Sequence, residues 1–313
     1  MREAFGRALA AAGRRDPSIV VLDGDVHTST KAEYFAQAFP DRFIQCGIAE
    51  QNMMGVAAGL AAMGFTPVVV SFGTFCAKRA CEQVEVSVSY SKMNVKIVGA
   101  YAGVSGGRAG PTHHAINDVA ILRAMPGITI LDPCDDRDCA AALDYALALE
   151  GPAYVRVVRD PCPAVFDRRR PDDVAPPVIL REGSDVLLLS SGPTLHLALA
   201  AAKLLAADGV ASPAVAHVTR IKPLSAEAVS LARRFRHVVT LENHCVLGGF
   251  GSAVCEALAA FGAPRVHRLG LPDAHADCGS QDELLDVAGL TPQKIADAVG
   301  AALAGARRRY EYD

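Results

Sequence analysis

Four short stretches gather the side chains of this sequence that could do chemistry. Gly47-Ile48-Ala49-Glu50-Gln51-Asn52 sets a carboxylate at the head of an alanine-rich helical pattern, and Ser71-Phe72-Gly73-Thr74-Phe75 sets two rings three positions apart. The stretch from Tyr101 to His114 gathers Gly103, Gly106, Gly107 and Gly110 with the adjacent His113 and His114, and Asp23-Gly24-Asp25-Val26-His27-Thr28-Ser29 follows a β-branched run. Flexible backbone beside titratable imidazoles suits acid–base work. Adjacent histidines are poorly spaced to share a metal from one element, so no metal ligand is assigned to this chain. Glu50 and the phenylalanines are ambiguous one at a time. A carboxylate in a first helical turn gains roughly 0.3–1 kcal/mol from the helix dipole with no catalytic task, and paired rings commonly pack a core.

Several familiar chemistries are excluded. No Gly-x-Gly-x-x-Gly joins a strand directly to a helix, no phosphate-cradling Gly-x-x-x-x-Gly-Lys-Ser/Thr occurs, and Gly103-Val104-Ser105-Gly106 misses the spacing of a hydrolase nucleophile elbow. With 31 Lys+Arg against 34 Asp+Glu, a net charge of −3 and no tryptophan, the chain lacks the basic field and stacking platforms that nucleic acid requires. No apolar run reaches the roughly 18 residues of a membrane span, and charge interrupts the alanines of the opening segment, so a cytoplasmic location is expected. Nine cysteines without a Cys-x-x-Cys pair argue for reduced, packed thiols rather than a disulfide scaffold or zinc ribbon.

Elements that could position these stretches are legible in the hydrophobic pattern. Short β-branched runs at 19–22, 43–44, 67–70, 95–98, 128–131 and 154–155 alternate with helical candidates at 50–62, 75–89, 117–125 and 139–149; further strands are expected at 185–189, 214–218, 237–241 and 266–269. That alternation predicts an α/β fold with two parallel or mixed sheets covered by helices. Prolines at 161, 163, 171, 176 and 177 mark residues 161–178 as a linker between a unit at 1–160 and a second at 179–313, with Arg168-Arg169-Arg170 as a solvated run. Each chemistry-bearing stretch then follows a strand, at the carboxyl edge where parallel sheets hold ligands.

Gly47 to Asn52, Thr74-Phe75 and Gly110-Pro111-Thr112-His113, in that order and spacing, are similar to the pyrimidine-binding domain of transketolases. Ile221-Lys222-Pro223-Leu224 and Gly248-Gly249-Phe250-Gly251 resemble the C-terminal domain of the same family, so the likeness spans essentially the whole chain. The resemblance implies thiamine diphosphate chemistry, in which a two-carbon ketol unit passes from a ketose to an aldose. Glu50 would hydrogen-bond the cofactor's aminopyrimidine, Phe75 would stack on it with Phe72 alongside, and Asp25 would lie near it. His113 would act in catalysis by binding substrate oxygens and assisting proton transfer. Arg2, Ser29 and Arg159 would bind the sugar phosphate, with Arg156 as a rival for Arg159.

The family's Gly-Asp-Gly and downstream Asn, which hold the diphosphate and magnesium, have no counterpart here. The resemblance therefore implies a split transketolase: this chain as C-terminal subunit, an N-terminal subunit carrying diphosphate and Mg²⁺, and an α2β2 heterotetramer. Two departures bear on substrate. Tyr101 stands where pentose-phosphate transketolases have His, and Arg108-Ala109 replaces an acidic residue followed by Asp, which predicts an altered or branched donor, or one with extra negative charge near Arg108. Alternatives are the β-type subunit of another thiamine enzyme (a 2-oxoacid dehydrogenase, or one like deoxyxylulose-phosphate synthase) and a non-catalytic partner of a transketolase.

Overall fold

The computed structural model describes residues 1–262 and 264–305 and contains two sheets. The first holds β1 (Ile19–Asp23), β2 (Phe43–Gln45), β3 (Thr66–Phe72), β4 (Lys96–Ala100), β5 (Thr129–Leu131) and β6 (Ala153–Val157). The second holds β7 (Val178–Arg181), β8 (Val186–Ser190), β9 (Pro213–His217), β11 (His237–Cys245) and β12 (Arg265–Leu271), while β10 (Arg220–Lys222) crosses back to the first. Strand order is β10-β5-β6-β4-β3-β1-β2 in one sheet and β12-β11-β8-β9-β7 in the other. All pairings are parallel except β10 on β5 and β7 on β9, the mixed α/β architecture that the alternating pattern implies. Runs such as Val68-Val69-Val70 and Leu187-Leu188-Leu189 are buried throughout, because helices cover both faces of each sheet.

Two strands escape the sequence reading. β7 and β10 are short edge strands without a long β-branched run, and their antiparallel pairing is set by tertiary contacts. The segment expected as one helix at 75–89 is two π-helical stretches, Phe75–Arg79 and Val84–Tyr90, joined by a short α-turn. The last eight residues of the expected second unit lie outside the described residues.

The two sheets are joined by buried charge. Arg156 on β6 is 2% exposed; it donates to Asp118 at 2.9 Å and Asp132 at 3.1 Å, and to the Asn243 carbonyl of β11 at 3.1 Å. Asp118 and Asp132 fall in the first unit and Asn243 in the second, so one guanidinium crosses the junction. Arg156 is thereby removed as a substrate ligand, since its donors are committed within the protein. The linker corrects a second expectation: Arg169 is not solvated but buried against Asp138 at 2.9 Å, which His217 on β9 and Thr219 also engage. Arg168 and Arg170 remain exposed. Arg156→Met would strand two buried carboxylates, so we expect about 3–5 kcal/mol lost stability in urea unfolding. An unchanged midpoint would show that the junction does not depend on this ion network.

Candidate active site

The site forms where β1, β3 and β4 end. After β2 the chain turns through Gly47, at a positive φ of 67°, and enters the helix Glu50–Ala62. No side chain caps that helix, and Glu50 occupies its first turn, where unpaired N–H groups favour an anion. The carboxyl is 1% exposed, with Oε2 receiving Arg79 Nη1 at 2.6 Å and Oε1 receiving the Ser71 hydroxyl, from β3, at 3.3 Å. Phe75 opens the π-helical turn that follows β3, and the Arg79 guanidinium lies 4.2 Å from its ring centroid. Such turns, with one residue more than an α-turn, are frequent at functional sites.

Four rings face one another beside this carboxyl. Phe72 lies 6.0 Å from Phe75, 5.9 Å from His113 and 4.4 Å from Tyr101 between centroids, and Phe75 lies 5.3 Å from His113. The glycine-rich loop brings His113 there. Gly103 and Ala115 exchange backbone hydrogen bonds at 3.0 Å each and close the loop at its base, while His113 Nδ1 meets the Thr112 hydroxyl at 2.9 Å. The adjacent histidines thus divide their tasks. His114 is buried with Nε2 on the Gly107 carbonyl at 3.1 Å, and burial pushes its pKa down, so it serves the loop as a neutral anchor.

Tyr101 joins the rings to the basic groups. It has a positive φ of 59°, a strained setting for a residue with a side chain, and its hydroxyl lies 3.5 Å from Arg2 Nη1. Arg2 also donates to the Ser29 carbonyl at 2.8 Å, and the Arg159 guanidinium lies 5.6 Å from the Tyr101 ring. Arg2, Ser29 and Arg159 are therefore brought together, with the serine contributing its carbonyl to Arg2. Asp25 is exposed at a φ of 64°; its N–H and that of Gly47 both donate to Gln45 Oε1 at 3.0 Å, which ties it to the Glu50 loop. Arg108 lies exposed on the turn Gly107–Ala109, near Glu283 of the second unit, a carboxyl held below its usual range first by hydrogen bonds from Ser280 and more weakly by Arg108.

Sequence reasoning did not place Arg79 or Ser71 among the contacts of the site, and it raised Tyr101 only as a departure that bears on substrate. Arg79, four residues after Phe75, was the detectable signal; the backbone setting of Tyr101 carries none. A buried carboxyl next to an aromatic surface fits a flat, nitrogen-bearing ring, since it supplies an acceptor and a stacking face together.

Comparison with known proteins agrees with this geometry. Residues 1–163 match the transketolase pyrimidine-binding domain and residues 177–295 the transketolase C-terminal domain. The chain belongs to the transketolase family. It is 38% identical over 299 residues to the 6-deoxy-6-sulfo-D-fructose transketolase subunit SqwH of Clostridium sp., covering 95% of this chain and 92% of that one. Against an apulose-4-phosphate transketolase subunit of Phocaeicola vulgatus, identity is 34% over 299 residues, with 94% of each covered. A solved split-gene transketolase, described as an inactive β4 tetramer, superimposes with a TM-score of 0.86 at 39% identity over 98% of both chains. By contrast, this transketolase chain spans only 47% of the 1-deoxy-D-xylulose-5-phosphate synthase 1 of Geobacter sulfurreducens, at 38% identity. The match to half-length subunits from end to end makes it a C-terminal transketolase subunit.

The loop that carries His113 has its own structural requirement. A Cβ on Gly103, whose φ is +62°, would lie 2.3 Å from the Asn243 side chain, whereas Gly127 has a comparable φ of +75° and open space around it. We expect Gly103→Ala to lose more than the roughly 1–3 kcal/mol of backbone strain that Gly127→Ala also incurs, and to perturb the His113 NMR resonances. Equal losses in thermal unfolding would mean the loop is not seated on Asn243.

Proposed function

We propose that this subunit supplies the pyrimidine-binding and substrate-binding half of a thiamine-diphosphate-dependent ketol transferase, and that an N-terminal subunit supplies the diphosphate and Mg²⁺ sites in an α2β2 assembly. The observation that carries this reading is the buried Glu50 carboxyl held by Arg79, whose guanidinium covers the Phe75 ring, with Phe72 and His113 grouped around that ring and Arg2 and Arg159 gathered beyond Tyr101. Exposed apolar side chains lie on the helix that starts at Glu50 (Val56) and at its two ends (Ile48 and Met63), which is consistent with a partner covering them. Residues 1–160 would form the catalytic unit, with 161–178 as linker and 179–313 as the second unit. Nine free cysteines fit a reducing, cytoplasmic setting.

When bound, thiamine diphosphate supplies the acidic carbon and electron sink for cleaving a bond next to a carbonyl. Glu50 would hold the aminopyrimidine through its ring nitrogen, and Phe75, backed by Phe72, would fix the ring plane. His113, held by Thr112, would donate to or accept from the substrate oxygens beside the bond that breaks. Asp25, tied to the same loop by Gln45, would line the cofactor side. Arg2 and Arg159 would bind the anion at the far end of the sugar, with Ser29 holding Arg2, because guanidinium forks match phosphate and sulfonate oxygens. Arg108 would stand at the outer rim.

Relatives named for 6-deoxy-6-sulfo-D-fructose and for apulose 4-phosphate favour a donor other than the common pentose phosphates, in the direction that Tyr101 and Arg108-Ala109 indicate. We propose a ketose bearing a terminal sulfonate or phosphate, within carbohydrate metabolism. In a donor panel, xylulose 5-phosphate should not be the best substrate, and its clear preference would contradict this assignment. Arg159→Met should raise KM for anionic donors by roughly 10-fold or more with a smaller change in kcat, as expected when a charged hydrogen bond is lost. An unaltered KM would remove Arg159 from the anion site. The chain alone should transfer no ketol unit, and mixing it with the N-terminal subunit should restore transfer without CO₂ release. Full activity of the isolated chain would contradict the split site.

A further inference from the structure

The buried Glu50 carboxyl is paired with Arg79, whose side chain is 41% exposed against 1% for Glu50. The same guanidinium covers the Phe75 ring, so one planar group touches both the carboxyl and the platform. Phe75 and Arg79 are the first and last residues of one π-helical turn, which fixes how far the guanidinium can stray from the ring. Arg79 engages Oε2 of Glu50, while Oε1 has Ser71 at 3.3 Å, a long bond that leaves this oxygen able to take another donor. A lysine at 79 could supply the charge. It could not lie flat on the ring while aiming an N–H at the carboxyl.

We infer that Arg79 is a positioning residue for the cofactor's pyrimidine: it locks Glu50 and Phe75 at a fixed mutual offset and reserves Glu50 Oε1 for the ring nitrogen. The inference rests on the thiamine diphosphate reading above. Arg79 does not itself exchange a proton with the cofactor. It acts through the carboxyl and the ring that do touch it.

The test uses the assembled two-subunit enzyme with thiamine diphosphate and Mg²⁺. Hydrogen–deuterium exchange at cofactor C2 is followed by NMR, and cofactor affinity by calorimetry. Arg79→Met should slow exchange by roughly 10-fold or more and weaken cofactor binding several-fold, while Arg79→Lys recovers part of the exchange rate. In a Glu50→Gln background, Arg79→Met should add less than about 2-fold, because the residue would act through a carboxylate no longer present. Arg79→Met takes the partner from a buried carboxyl, so its thermal midpoint should fall, whereas Arg79→Lys keeps the charge and should restore the midpoint more fully than the exchange rate; all variants are compared as assembled enzyme. Exchange in Arg79→Met within about 2-fold of wild type, or the full loss again in the Glu50→Gln background, would overturn the positioning role. Wild type that neither binds nor exchanges the cofactor would overturn the thiamine reading itself, a result distinct from either of these.

Discussion

A carboxylate is expensive to bury, and the Glu50 side chain is buried beside groups with little other reason to be there. The helix Glu50–Ala62 begins without a side-chain cap, so its first-turn N–H groups and dipole favour the anion, and Arg79 balances the charge from a separate turn. Around that pair the aromatic rings, the glycine loop and the strand ends are arranged. A surface Glu at a helix start would need none of this. The geometry explains why the chain devotes a π-helical turn and a non-glycine residue at positive φ to one edge of one sheet.

The second sheet contributes to this edge without carrying the aromatic box. Asn243 on β11 accepts from the Val104 N–H at 3.2 Å and passes its own carbonyl to Arg156. The His113 loop is therefore seated on one unit and closed by the other. Arg156, Asp118 and Asp132 form an ion network whose removal from water is costly, and its value lies in fixing the register of two sheets rather than in net stabilisation. The antiparallel addition of β10 to β5 fixes the same junction through backbone pairing.

Much of this was legible in the residues. Most strand runs, such as β1, β4, β6 and β8, are buried on both faces and could be read from their apolar composition, and the helix 50–62 was visible with both ends because apolar periodicity meets Gly64 after its last turn. The strand ends drew attention to the stretches that hold Glu50, Phe72, Phe75 and His113, and the resemblance to transketolases gave those residues their roles. What could not be read depends on distance in space. Arg156 and Arg159 look alike in sequence, yet alternation along β6 sends one into the junction and leaves the other, two residues past the strand, at the surface. Arg169 looks like a member of a solvated run until Asp138 is placed against it. Edge strands without a hydrophobic run leave no periodic trace.

The central claim is that Glu50 of this chain grips the pyrimidine while another chain grips the diphosphate. The most direct measurement is a crystal structure of the complex with its N-terminal partner and thiamine diphosphate. The account predicts the cofactor at the junction of the two chains, with a Glu50 carboxyl oxygen about 2.6–3.2 Å from a pyrimidine ring nitrogen and no ligand to the diphosphate from this chain. A pyrimidine ring remote from Glu50, or a cofactor held entirely within one chain, would contradict it.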